Sequence, residues 1–272
     1  MAQKKSRLFP VAFLAAKATL AALKLTNHEG GTLPGFIAEG IDPAFLGDIA
    51  KPEQIVFITG TNGKTTTNNL LNDLLADNGY RTVTNRVGGN ISSGFASSFA
   101  KNATWKGTSK TKLAVMEFDE LSGPRIFPYL QPDILSVTNL FRDTFSRSAT
   151  PDYVFDVMDK GIPASTHLIL NADDMISCRL APQCTHRTYY SIARLAEDTA
   201  EPVGIVSDLT ACPKCGGKLK WDYAHLRHLG HATCEECGYT NPTPDYEVIS
   251  VEPETGTFVV KEHCHEGAPT YE

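Results

Sequence analysis

Apolar and polar positions change rhythm several times along the chain. Residues Leu8–Leu25 are apolar and Ala-rich, preceded by Lys4, Lys5 and Arg7 and broken by Lys17 and Lys24. The run is too short and too interrupted to cross a bilayer. It reads as an amphipathic helix with Leu14, Ala18, Ala21 and Leu25 on one face, not as a signal peptide. An interfacial role at a membrane stays open, because basic residues flank an apolar face. Residues 27–50 carry Gly30, Gly31, Pro34, Gly35, Gly40 and Pro43, and predict a loop-rich connector.

A regular alternation of strand and helix follows. Gln54–Thr59 is a short apolar, β-branched run, the pattern of a buried parallel strand. Lys64–Asn78 predicts a helix, with Leu70, Leu71, Leu74 and Leu75 at helical spacing and Gly79 as its C-terminal cap. Further strands are expected at Arg81–Thr84, Leu113–Phe118, Ile134–Thr138 and Leu168–Leu170. Helices are expected at Gly94–Lys101, Pro124–Leu130 and Asp152–Lys160. This rhythm implies βαβ units and a mostly parallel sheet. Residues 210–241 break it, being dense in Cys, Gly, His and aromatic residues. Strands expected at Tyr246–Val251 and Thr257–Lys261 return to the main domain, so the Cys-rich piece is an insertion.

Composition narrows the classes. In 272 residues, 42% hydrophobic and 21% charged, 25 Lys and Arg face 31 Asp and Glu, for a net charge of −6. That is a globular chain, neither disordered nor collagen-like nor a coiled coil. The acidic balance gives no support for broad binding to nucleic acid.

Two motifs carry chemistry. ITGTNGKTTT, Ile58–Thr67, follows an expected strand and opens an expected helix, the setting of a phosphate-binding loop for ATP. Gly60 and Gly63 let the backbone curl around a phosphate, with Thr61 and Asn62 between them, and the helix N-terminus adds positive potential. Lys64 can reach the β- and γ-phosphates, the Thr65 hydroxyl can ligate Mg²⁺, and Thr66 completes the turn. One departure from the general pattern is Ile58, which stands where its first Gly would be. The second motif is C-x₂-C-x₁₈-C-x₂-C, formed by Cys212, Cys215, Cys234 and Cys237. Four thiolates at this spacing read as a closed, structural Zn²⁺ site. Redox chemistry is the rival reading. Cys178, Cys184 and Cys264 are scattered, and a count of seven cysteines fits a reducing compartment better than a disulfide framework. His225, His228 and His231, between the pairs, read as surface or packing residues.

GGTLPG at Gly30–Gly35, ITGTNGKTTTNNLL at Ile58–Leu71, EFDE at Glu117–Glu120, TNLFRD at Thr138–Asp143, LNADD at Leu170–Asp174 and the Cys pairs resemble the Mur ligase family. The resemblance implies that family's central P-loop ATPase domain, an α/β fold, here with a zinc-ribbon insertion. Within the family it points to the branch that amidates the α-carboxyl of D-glutamate in the lipid II stem peptide. That branch takes glutamine-derived ammonia from a GatD-like glutaminase subunit. It implies ATP, Mg²⁺ and Zn²⁺ as cofactors, and a cytoplasmic station facing lipid II at the inner membrane face.

The resemblance also suggests roles for single residues. Glu117, at the end of an expected strand, is a candidate for holding Mg²⁺, and Asp119 and Glu120 could share that role; the alternative is a surface carboxylate. Asp143 stands at the Asp of an Asp-His pair, with Thr144 in place of the His, and Asn139 and Arg142 could position phosphate oxygens. Asn171 is the candidate to approach adenine or ribose, although LNADD is also a good turn and cap. No Lys matches the place of the family's carbamoylated residue, where Asp156–Met158 stand, with Lys160 slightly beyond.

The domain reading is an N-terminal helix and connector at 1–50, a P-loop domain at 51–209, the zinc ribbon at 210–241 and a return with tail at 242–272. The family's C-terminal Rossmann-like domain has no room after the last expected strand, so this chain is expected to bind nucleotide but to ligate poorly alone. Two alternatives remain: another Mur-like ligase such as a folylpolyglutamate synthase, and a non-catalytic ATP-binding zinc protein.

Overall fold

The apolar run Gln54–Thr59 is a strand in the computed structural model, which describes residues 5–28, 31–87, 89–141, 151–203, 209–263 and 270–271. The chain divides into two units: residues 1–136 with 157–166, and residues 137–156 with 167–272. The stretch 51–209, expected as one domain, contributes to both.

In the first unit, α1 (Phe9–Leu25), α2 (Leu33–Ile41) and α3 (Phe45–Asp48) precede β1 (Gln54–Thr59), α4 (Lys64–Asp77), β2 (Thr82–Val83), α5 (Ser92–Asn102), β3 (Leu113–Glu117), α6 (Gly123–Ile126) and β4 (Ile134–Val137). The strands lie in the order β4-β1-β3-β2, and β1, β3 and β2 run parallel. Burial on both faces is why they read as continuous apolar runs. Phe57 on β1 anchors the core. Its ring stacks on Phe118 at 5.5 Å and meets Phe95 of α5 edge-on at 5.1 Å. All three rings are fully buried, each contributing about 1.5–3 kcal/mol from area alone.

Three expectations need correction here. The connector is helical: α2 and α3 occupy most of it. Its Gly35 marks a helix crossing, because a Cβ there would fall 1.9 Å from the Ser93 carbonyl oxygen of α5. The phase of α1 is also different. Phe9, Ala12 and Ala16 face inward, while Leu14 and Leu25 point to solvent; small Ala side chains let the helix approach its neighbours closely. On α4 the buried positions are Asn68 and Asn72, and Leu70 and Leu74 are exposed. The Asn72 amide donates to the Val115 carbonyl of β3 at 3.3 Å, and its Oδ1 accepts from the Thr82 hydroxyl at 2.6 Å. Hydrogen bonding to the sheet offsets the desolvation of the Asn72 amide, which also donates to Asn68.

Helix α7 (Pro151–Asp159) follows. The second unit then holds β5 (His167–Asn171), β6 (Arg187–Ile192), β7 (Leu219–Leu226), β8 (Leu229–Cys234), β9 (Tyr246–Glu252), β10 (Thr257–Glu262) and β11 (Thr270–Tyr271). Strand order is β11-β10-β9-β6-β5, with β5, β6 and β9 parallel and β10 and β11 antiparallel at the edge. The Cys-rich insertion is a separate antiparallel hairpin of β7 and β8. Among the described residues, no helix is long and apolar enough to cross a membrane.

Candidate functional site

The loop between β1 and α4 starts and ends on glycines that no other residue replaces without strain: φ is +131° at Gly60 and +83° at Gly63. Gly63 is the N-cap of α4, so Lys64, Thr65 and Thr66 form its first turn. Thr65 and Thr66 are exposed, and Thr61 and Asn62 fill the loop between the glycines. The N–H groups that the first turn of any helix leaves without intrahelical partners, together with the helix dipole, suit this turn to an anion.

Lys64 is held in place before any phosphate arrives. Its Nζ donates to the Gly60 carbonyl at 3.0 Å and lies 3.4 Å from Glu120 Oε1. The same carboxylate oxygen accepts the Gly60 N–H at 3.1 Å. Burial raises the Glu120 carboxyl above the ordinary glutamate range, against the pull of the Lys64 charge. A buried carboxylate regains in a divalent metal the charge partner that burial takes away, so Glu120 is a candidate metal ligand.

Glu117 lies at the carboxyl end of β3, paired in register with Ile58. Its carboxylate accepts from the Asn90 amide at 2.9 Å. Asn85 clamps its backbone, accepting the Glu117 N–H at 2.9 Å and donating to its carbonyl at 2.8 Å. Of the carboxylates in EFDE, Glu120 therefore touches the loop and Lys64, while Glu117 is tied to Asn90. Asp119 accepts from the Ser122 hydroxyl.

In the second unit, Asn171 ends β5. Its amide donates to the Thr138 carbonyl at 3.1 Å, and its Oδ1 accepts the Asp173 N–H, the local capping pattern of an Asx turn. Asp174 is fully buried and accepts the N–H groups of Leu140 and Ile176. Asp143 and Arg142 fall outside the described residues.

The four cysteines converge: their sulfurs all lie within 4.8 Å of one another. Cys212 and Cys237 are 3.7 Å apart, and Cys215 and Cys234 are 3.5 Å apart. A tetrahedron with metal–sulfur bonds of about 2.3 Å has edges of about 3.8 Å, so the cluster fits one ion. The Cys237 N–H lowers the Cys234 thiol to about 7. The Gly217 N–H favours the Cys215 thiolate, but the neighbouring thiols outweigh it and push that group up to about 12.

Gly230, near the hairpin tip, and the segment just after Cys237 rest on the Asn171 turn. Gly230 donates to the Asp173 carbonyl at 2.9 Å, the Asn241 amide to Ala172 at 2.6 Å, and the Tyr239 hydroxyl to Met175 at 3.0 Å. His228, fully buried, sits edge-on to Phe141 with Nε2 3.4 Å from Asp174 Oδ1.

Residues 58–207 match the Mur ligase middle domain. The chain belongs to the Mur ligase family. It is 36% identical over 241 residues to the lipid II isoglutaminyl synthase (glutamine-hydrolyzing) subunit MurT of Staphylococcus aureus strain COL, covering 86% of this chain and 53% of that one. It is 34% identical over 227 residues to the MurT subunit of Streptococcus pneumoniae, covering 82% of this chain and 49% of that one. The chain spans about half the length of these curated relatives. A solved pseudomurein peptide ligase type C from Methanothermus fervidus shares the fold, with a TM-score of 0.58 and 22% identity over 84% of this chain and 43% of that one.

For this member of the family, the loop lies between a strand and a helix and the four cysteines converge, as the sequence spacing implied, but sequence reasoning did not rank the carboxylates. Glu120 belongs to a short 3₁₀ turn, Glu120–Ser122, after β3. Strand placement favours Glu117; only the tertiary approach of that turn to Gly60 singles out Glu120. The clamps Asn85 and Asn90 carried no local signal at all.

Proposed function

We propose that this chain serves an ATP-dependent carbon–nitrogen ligase that amidates the α-carboxyl of D-glutamate in the lipid II stem peptide. Ammonia would come from glutamine through a GatD-like glutaminase subunit, and the work would be done on the cytoplasmic side of the membrane. The relatives' name, lipid II isoglutaminyl synthase, motivates the substrate and partner. The observation that carries the reading is the Lys64–Glu120–Gly60 arrangement at the carboxyl ends of parallel β1 and β3, where ligands bind in open α/β sheets.

In this reading the γ-phosphoryl group of ATP passes to a carboxylate oxygen, giving an acyl phosphate and ADP. Ammonia attacks the acyl carbon, the bond to the phosphate oxygen breaks, and nitrogen loses a proton to give the amide. Gly60 to Thr66 hold the phosphates with backbone N–H groups, and Lys64 follows the charge as it moves. Magnesium, held by Thr65 with Glu120 or Glu117, would neutralise the transferring group. Asn171 is the proposed nucleotide-side residue and Asp143 the proposed catalytic carboxylate. Zinc on Cys212, Cys215, Cys234 and Cys237 is structural in this reading, because four thiolates leave no open position.

The test is mass spectrometry of the stem peptide after incubation with ATP, glutamine, a glutaminase subunit and the complete ligase carrying this sequence. Conversion of D-glutamate to D-isoglutamine, lost in Lys64→Ala, is expected. Conversion that persists in Lys64→Ala would remove the loop from the reaction.

A further inference from the structure

The β7–β8 hairpin ends in a two-residue turn, Arg227 and His228, closed by the Leu226–Leu229 pair. Turns of this length favour Gly or Asn, because the chain must pass through positive φ. Here Arg227 takes that conformation, at φ +52°. A long side chain is strained there, and the strain persists only where the surroundings enforce it. Just below the turn, β7 carries one residue more than β8. It is His225, between the Ala224–Gly230 and Leu226–Leu229 pairs. A bulge of this kind re-aims what lies beyond it. The bulged residue is itself fixed, with Nδ1 at 2.9 Å from Asp198 Oδ1 and Nε2 donating to the Ile192 carbonyl at 3.0 Å.

The tip is aimed at Phe141. The Arg227 guanidinium lies over its ring at 5.0 Å, and His228 meets the ring edge-on at 5.3 Å. Among the described residues, neither ring nitrogen of the buried His228 makes a hydrogen bond; Nε2 faces Asp174 Oδ1 at 3.4 Å. An imidazole buried in this way costs stability, and the contact that offsets the cost is the Phe141 ring. Phe141 belongs to the turn after β4, from which the chain runs on to Arg142 and Asp143. The backbone of that turn is held from the β5 side: Asn171 donates to the Thr138 carbonyl at 3.1 Å, and Asp174 accepts the Leu140 N–H at 2.7 Å. The hairpin tip takes hold of its aromatic side chain.

We propose that Arg227 and His228 are positioning residues of the ligase. They clamp Phe141 and so hold the turn that presents Asn139 and leads into Asp143. The proposal rests on the ligase reading given above, and it gives the Cys-rich insertion a part in the reaction beyond stability.

The decisive variant is Arg227→Gly, made in the complete ligase carrying this sequence. Glycine accepts the left-handed backbone without strain, and Arg227 is exposed, so the melting temperature should hold or rise. An arginine that served only the fold would then leave the reaction as it was. The expected result is a fall in kcat for stem-peptide amidation of about threefold or more, with the KM for ATP unchanged, because misplaced reacting groups are felt in the rate. His228→Ala should lower kcat further, by about tenfold, and His228→Phe, which keeps a ring against Phe141, should recover most of the loss. Hydrogen exchange of the Leu140 amide, measured without substrate, is the second readout, and it should quicken in Arg227→Gly and in His228→Ala. Wild-type kcat in both variants would overturn the proposal, as would a loss that His228→Phe does not recover. Unchanged Leu140 exchange would overturn the clamp whatever the activity does. If the wild-type ligase makes no D-isoglutamine, the ligase reading fails, and Leu140 exchange alone decides whether the tip holds the turn.

Discussion

Lys64 Nζ and Glu120 Oε1 lie 3.4 Å apart at the mouth of the phosphate loop, and the same oxygen accepts the Gly60 N–H. The loop's cation therefore has a counter-charge before any nucleotide binds. Lys64→Ala should weaken Mg·ATP binding about tenfold or more, since a charge-assisted contact contributes about 1.5–3 kcal/mol. Glu120→Gln keeps an acceptor for Gly60 but removes the charge, so it should abolish the magnesium dependence of binding. Titrating each variant with ATP, with and without magnesium, checks both. If Glu120→Gln responds to magnesium like wild type while Glu117→Gln does not, the metal role passes to Glu117.

The cysteine cluster should carry about one zinc ion per chain. Cys212→Ser or Cys237→Ser should lose it and loosen the β7–β8 hairpin while the first unit stays folded. Elemental analysis of freshly purified, chelator-free protein is the measurement; protein without metal would dismiss the site.

Asp174 gathers three groups: the N–H of Leu140 at 2.7 Å, the N–H of Ile176 at 3.0 Å, and His228 Nε2 at 3.4 Å. Asp174→Ala strands two N–H groups without their acceptor, and stability should fall by about 3 kcal/mol or more. Asp174→Asn retains an acceptor and should cost less. Urea unfolding of both variants decides; equal losses would mean that volume, not hydrogen bonding, matters here.

Asp173 gives a pH signature. Burial raises its carboxyl to about 6, against the Ile192 N–H and the nearby His225, both of which favour the charged form. A folded-state value above the unfolded 3.8 means that the folded chain holds the proton more tightly. That contribution is fully present below 3.8 and is lost as pH rises through 6. Asp173→Asn, which cannot ionise, should therefore gain stability relative to wild type between about pH 4 and 6.5, by up to about 3 kcal/mol, and hold the gain above. Comparing the two proteins at each pH cancels what groups remote from Asp173 contribute, the cysteines included. A gap that stays constant across this range would refute the shift.

The parts legible in the sequence are those whose signal is local. The phosphate loop needs glycines at fixed offsets between a strand and a helix, and a CxxC pair turns two thiols together within four residues. Where the outcome depends on a partner element, the pattern misled. The apolar stripe of α1 had the helical period, but its phase was set by Ala12 and Ala16, which fit closely against neighbouring helices, and not by its larger leucines. On α4, Asn72 took the inner face because the sheet offers it hydrogen bonds, and its amide in turn bonds to Asn68 one turn before. Strand β6, RTYYSI, lacks an apolar run. It is fixed by pairing with β5 and by Arg187, whose guanidinium donates to the carbonyls of Cys178, Leu180, Ala181 and Cys184.

The hairpin of β7 and β8 is gathered at its base by sulfur, and Gly230 near its tip, with Tyr239 and Asn241 just after Cys237, bonds to the backbone of Asp173, Met175 and Ala172. These ties should open together as one cooperative unit. Amide protons of the Asn171 turn, more than 30 residues before Cys212, should then exchange faster once the metal is removed, while those of β1 and β3 keep their rate. Metal supply during folding would in this way decide when the turn after β5 becomes rigid.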